Sequence, residues 1–227
     1  MTEKTHSPQD ALAAAPDSCR LIGVRRREPN VMPDIAAFLA RWDDPAAWRP
    51  QARLHVSSAG NVNTVGLTGI QEADDLDPHH PRWREAIEPG VWPLVNILTT
   101  GAWRLTTYDS CQGHAYGQDG PEPALRRVGV LPRDGAQQAA AEAALCRAVH
   151  EAIPHTPPQV ALSLNRCRLT CARSGGHRVV LDLGLDPAAR TGGDAYAAAV
   201  DEATAVLARS LAAHCPDPGT ACGCRPR

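Results

Sequence analysis

Val160–Cys171 (VALSLNRCRLTC) and His177–Leu185 (HRVVLDLGL) flank Arg173-Ser174-Gly175-Gly176. Two aliphatic arms around a glycine-bearing turn predict an antiparallel hairpin. Its flanks decide what the hairpin packs against. Upstream, Asp134 is placed to cap a helix running to Ile153, with Leu145, Val149 and Ile153 four apart. Downstream, Asp194 can cap a final helix whose stripe Tyr196, Val200, Ala203, Leu207 and Leu211 repeats at helical spacing. Trp103–Tyr108 (WRLTTY) and Arg127–Leu131 (RVGVL) read as two earlier strands. The order β-β-α-β-β-α over 103–213 predicts an α+β fold, a mostly antiparallel sheet with helices packed on it. Both helix stripes are expected on that one sheet, with Val179, Leu181 and Leu183 away from solvent.

A small α/β part precedes this half. Pro33–Trp42 (PDIAAFLARW) places Ile35, Phe38, Leu39 and Trp42 on one stripe and predicts a short helix. Gln51–Ile70 suggests two short strands turning near Gly60-Asn61, and Glu72–Pro81 (EADDLDPHHP) reads as a surface loop. Trp92–Leu98 reads as a helix that Gly101 can end. Residues 1–18 are polar, Ala- and Pro-rich and without period, which predicts a flexible extension. Residues 19–214 are then expected to form a single α+β domain, followed by a Cys-rich tail over 215–227.

The chain has 227 residues, enough to bury a core without staples. No apolar run approaches the roughly 18 residues of a membrane span, and the start lacks a secretory apolar stretch. The expectation is a cytoplasmic protein with no membrane partner. A net charge of −2 argues against a broadly basic nucleic-acid surface. Only Lys4 is lysine, so the arginine content reads as codon bias rather than RNA binding. In a reducing compartment the eight cysteines are expected to be free thiols, metal ligands or redox groups rather than disulfides.

The most distinctive hexapeptide, Asp109-Ser110-Cys111-Gln112-Gly113-His114, follows a predicted strand. Two chemistries fit it. His114 can activate Cys111 as a nucleophile, with Asp109 orienting the imidazole; alternatively, Cys111 and His114 are ligands of Zn or Fe. A buried thiol with a backbone-satisfied histidine is the bland alternative. His214, Cys215, Cys222 and Cys224 lie close enough to wrap a second metal, and the tail could equally deliver a resolving thiol or be an ordinary solvated end. Cys167 and Cys171 share a strand face about 13 Å apart, too far for one zinc, and read as core-facing thiols. His177 reads as a surface residue beside the turn. Asp74, Asp75, Asp77, His79 and His80 could supply hard ligands but read first as a polar loop. Arg25-Arg26-Arg27 reads as a solvated face. The absence of G-x-G-x-x-G, P-loop and G-x-S-x-G patterns argues against nucleotide-dependent phosphoryl transfer and α/β-hydrolase chemistry.

Thr107–His114 (TYDSCQGH) resembles an S-C-x-G-H signature of small bacterial and phage proteins. It is similar, more distantly, to the S-C-S-G-R segment of the tRNA wybutosine-synthesis methyltransferase family, with Gln112 where that family has Ser and His114 where it has Arg. The resemblance spans about ten residues, and it implies a functional Cys111 region. The leading expectation is a small enzyme with a Cys111/His114 centre acting on a small-molecule, secondary-metabolism type of substrate. An RNA-modification protein with a tRNA partner is the reading the second resemblance implies. A non-catalytic, metal-stabilised binding module is the third.

Overall fold

The computed structural model describes residues 22–24, 30–49, 54–56, 62–63, 76–100, 103–113 and 125–214. The expected extension 1–18, the turn near Gly60-Asn61, the stop at Gly101, Arg25-Arg26-Arg27, Asp74, Asp75, His114 and the tail with Cys215, Cys222 and Cys224 lie outside them.

The fold is α+β, built on one mixed sheet. The hairpin is its centre: β7 (Val160–Cys171) and β8 (His177–Pro187) pair in unbroken antiparallel register from Val160↔Pro187 to Thr170↔His177. Gly175 takes φ +68° in the turn, a conformation glycine adopts without steric cost. On the far side of β8 come β6 (Arg126–Leu131) and then β5 (Thr106–Cys111), both antiparallel. Beyond β7, two three-residue strands run parallel to it end to end. These are β1 (Ile22–Val24), opposite Leu164–Arg166, and β2 (Asn30–Met32), opposite Leu169–Cys171. A separate two-stranded ladder joins β3 (His55–Val56) to β4 (Val62–Asn63).

Cross-strand partners share a face. Arg126, Val128 and Val130 of β6, Leu181, Leu183 and Leu185 of β8, and Leu164 and Arg166 of β7 therefore point one way. Among the described residues five α-helices accompany the sheet: α1 (Ile35–Asp43), α2 (Trp83–Ala86), α3 (Trp92–Thr99), α4 (Gly135–Ala152) and α5 (Gly193–Ala213). The last two lie side by side on the apolar face, and α3 packs against α5 and β5. Leu181, Leu183, Leu207 and Leu211 are fully enclosed, whereas Val179 is half-buried. Asp134 caps α4 as its sequence suggests, accepting from Gln137 N at 2.7 Å. Asp194 differs from expectation: the cap of α5 is Gly192, and Asp194 sits in the first turn, where its negative charge meets the positive end of the helix dipole favourably.

Three other expectations are corrected by packing. Trp103 and Leu105 do not begin β5; they are buried in the turn before it. The described part of the Glu72–Pro81 loop is a surface segment only in part: His79 and Pro81 are exposed, but Asp77 and His80 are buried. Arg49 Nε donates to both Asp77 oxygens at 2.8 and 2.9 Å, and His80 Nδ1 accepts from Arg82 N at 3.0 Å. An edge-to-face chain of rings, Trp42 on Trp83 and Trp83 on Trp92, ties α1, α2 and α3 together. Finally, Cys146 on α4 is disulfide-bonded, against the expectation of free thiols and metal or redox groups.

Candidate functional site

The sequence and the structure meet at the end of β5. A register shift between Thr107 and Asp109 puts Tyr108 on a bulge. Tyr108, Asp109 and Cys111 then share the sheet face opposite the helices, with Asp109 and Cys111 across from Gly129 and Arg127. Arg127 Nη2 donates to Asp109 Oδ2 at 2.6 Å, so the proposed orienter of an imidazole is engaged by a guanidinium. Cys111 is half-buried, and its Sγ accepts from Gly113 N at 3.4 Å, within the range for a sulfur acceptor. Gly113 takes φ +84°, which folds the chain back over the sulfur.

The same face continues as a polar, largely buried layer. Tyr108 OH donates to Asp182 Oδ1 at 3.1 Å, and Cys167 Sγ donates to Asp182 Oδ2 at 3.2 Å. Ser163 Oγ donates to Asp186 Oδ2 at 2.7 Å beside Asn165. Burial, then the Asp182 and Asp109 carboxylates, push the Tyr108 phenol far above its ordinary range, so it stays a proton-bearing donor. Two glycines keep this face open. A Cβ at Gly129 would stand 2.6 Å from Tyr108 Cε1, and one at Gly184 would stand 2.6 Å from Ser163 Oγ. Gly129→Ala is expected to lower stability by about 1–3 kcal/mol, because ring and methyl cannot both occupy the space. Unchanged denaturant midpoints would show that the ring does not lie on Gly129.

On the helix side, the Cys111–Gly113 turn borders a cavity of about 800 Å³ between the entry to α3 and the outer face of α5. Gln112 is pinned there: its N–H donates to Glu88 Oε2 at 2.6 Å, and its Oε1 accepts from Gly90 N at 3.0 Å. Arg126 Nε donates to Gln112 O at 2.7 Å, while Nη1 reaches Asp201 Oδ1 and Thr204 Oγ1, each at 2.7 Å. Turn, β6 and α5 are thus locked by one buried arginine.

Of the other sequence candidates, His214 ends α5 with Nδ1 2.9 Å from Ser210 O and Nε2 2.7 Å from Glu151 Oε1. Metal binding there would displace one of those contacts. His79 Nε2 lies 3.1 Å from Trp42 O, and its N–H donates to Asp77 Oδ1. Asp77, His79 and His80 thus hold the chain together rather than converge. Among the described residues no group of three or more His, Cys, Asp or Glu side chains could hold a metal ion.

Cys167 and Cys171 are both buried, as the strand parity suggests. The sequence misses what surrounds Cys171. Donation from Ser174, then from the N–H groups of Ile35, Ser174 and Arg173, outweighs burial and the 3.8 Å contact to Pro33 O, and brings the thiol down to about 7. His177 borders the same recess of about 230 Å³, its Nδ1 3.1 Å from Thr170 Oγ1. Only the pairing of β2 with the end of β7 brings the start of α1 to this turn. Asp182 and Arg126 are likewise absent from any sequence motif, and Tyr108, though inside TYDSCQGH, is not singled out by it. The one available signal is a charged or polar residue in a strand otherwise aliphatic.

The chain matches no protein-family model, no curated protein and no solved structure.

Proposed function

We propose that the protein is a small-molecule enzyme working through the Cys111 thiol. The observation that carries this reading is the double role of Gly113: its N–H donates to Cys111 Sγ, and the residue also walls the large cavity. Cys111 points from the opposite sheet face, but Gln112 and Gly113, which follow it, line the cavity, and that turn is held by Glu88, Gly90 and Arg126. A nucleophile fixed this way needs little reorganisation before attack. Sγ would add to a carbonyl carbon of the substrate, the C=O π pair moving to the oxygen as the C–S bond forms, with His114, three residues on in sequence, as the group that takes the thiol proton. Arg127, paired with Asp109, lies on the thiol's own sheet face.

Alkylation with iodoacetamide, read by peptide mapping, tests this. Cys111 is expected to label well ahead of the enclosed Cys167, and His114→Ala to slow that labelling. Labelling of Cys111 as slow as that of Cys167, with and without chelator, would overturn the reading. Labelling that rises only after chelation would make Cys111 a metal ligand instead of a nucleophile.

A further inference from the structure

We propose that the cavity beside the Cys111–Gly113 turn takes a small molecule by an anionic head group, carboxylate or phosphate, held by Arg126 and Arg209. Arg126 is 5% exposed, yet only part of its guanidinium is used. Nε and Nη1 are spent on Gln112, Asp201 and Thr204, while Nη2 has no hydrogen-bond partner among the described residues. Nη2 faces Gly90 on the cavity wall, where even a Cβ would stand 2.8 Å away. Arg209, exposed on α5, lines the same cavity and makes no ion pair among the described residues.

The one acidic lining residue, Asp201, already faces Nη1. Glu88, the carboxylate beneath, is turned to the backbone of Gln112. The lining therefore carries one more positive than negative charge, with a guanidinium nitrogen presented at each of two depths. Such an arrangement suits a carboxylate or phosphate, whose oxygens accept two charge-assisted hydrogen bonds. The remaining wall is small and apolar, with Pro89, Pro93, Ala205 and Ala208 leaving room for the body of a molecule rather than a bare ion.

The inference rests on the thiol reading for the ligand being a substrate, and the test keeps the two apart. The full chain is titrated with inorganic phosphate and, separately, with hexanoate, followed by NMR shifts or calorimetry. Saturable binding of at least one is expected, weakening with added salt; which probe binds assigns the head group. Arg209→Ala is expected to lower affinity about tenfold, the size of one charge-assisted contact. Asp201→Asn is expected to raise it by removing the competing negative charge, and Ala205→Trp, from an exposed α5 position, to abolish it by filling the space. No saturable binding of either probe, or binding indifferent to all three substitutions, overturns the inference. Cys111→Ser should bind as the parent does. Anion binding beside an inert Cys111 would defeat the thiol reading alone, and a reactive Cys111 without anion binding would defeat this one alone.

Discussion

Glu142→Ala is expected to cost about 3–5 kcal/mol of stability, because it breaks a buried, bidentate ion pair by removing one partner. Glu142 projects from α4 onto the apolar face of the sheet and meets Arg166 of β7, both side chains 4% exposed. The contact is bidentate, with Arg166 Nε donating to Oε1 at 2.8 Å and Nη2 to Oε2. Gln138 Nε2 adds a bond to Oε1 at 2.9 Å. Removing the carboxylate takes the bidentate partner away from a buried guanidinium. Glu142→Leu with Arg166→Met removes both charges and is expected to cost much less, since the pair must itself be desolvated.

The pH dependence has a definite sign. Burial pushes the Glu142 carboxyl up, but the Arg166 and Gln138 hydrogen bonds and the Arg166 charge outweigh it and hold it below its ordinary 4.5. A depressed folded value means stabilisation that is complete above the unfolded value and lost as pH falls through the folded one. The parent should therefore lose stability on acidification below about 4.5 more steeply than Glu142→Gln. A Glu142→Ala variant within about 1 kcal/mol of the parent would mean that the pair is solvated rather than buried.

What was legible in the sequence follows from periodicity and range. The β7–β8 hairpin and the stripes of α4 and α5 repeat along a single segment, so each declares itself without knowledge of the rest. Beside them, β1 and β2 are three residues each and parallel to β7, and only sheet register reveals them. Nothing in the sequence marks Arg166 as buried, because its partner on α4 is 24 positions away. The Cys111 region was legible as a motif, but its surroundings were not. Asp182 reaches Tyr108 across β6 only because Gly129 carries no side chain, and Arg126 reaches α5 through 75 residues of intervening fold. A local hexapeptide can thus point to the thiol while saying nothing of the cavity beside it.

Trp103→Ala is the second change expected to be severe, at about 3–5 kcal/mol, the usual cost of truncating an enclosed aromatic ring. Its indole is 4% exposed, and Nε1 donates to Leu211 O at 3.0 Å. That carbonyl lies in the last turn of α5, among those an α-helix leaves without an internal partner. The ring therefore fills the core and finishes the helix at once. Immediately after it, Arg104 takes φ +44°, a left-handed conformation that a non-glycine residue holds at a cost of about 1–2 kcal/mol. Leu105 N then donates to Leu98 O at 2.8 Å, and β5 begins. Trp103→Phe keeps most of the volume and loses the donor, so it should cost about 1–3 kcal/mol for an unsatisfied buried carbonyl. The difference between the two variants in urea unfolding separates packing from capping. Equal losses for Phe and Ala would place the whole effect in the hydrogen bond. A loss below about 1 kcal/mol for Ala would deny that the indole is core. The consequence reaches the site, because α5 carries Thr204, Ala208 and Arg209 along the cavity wall while β5 carries Cys111. One indole joins those two elements, and the spacing between thiol strand and cavity wall depends on it.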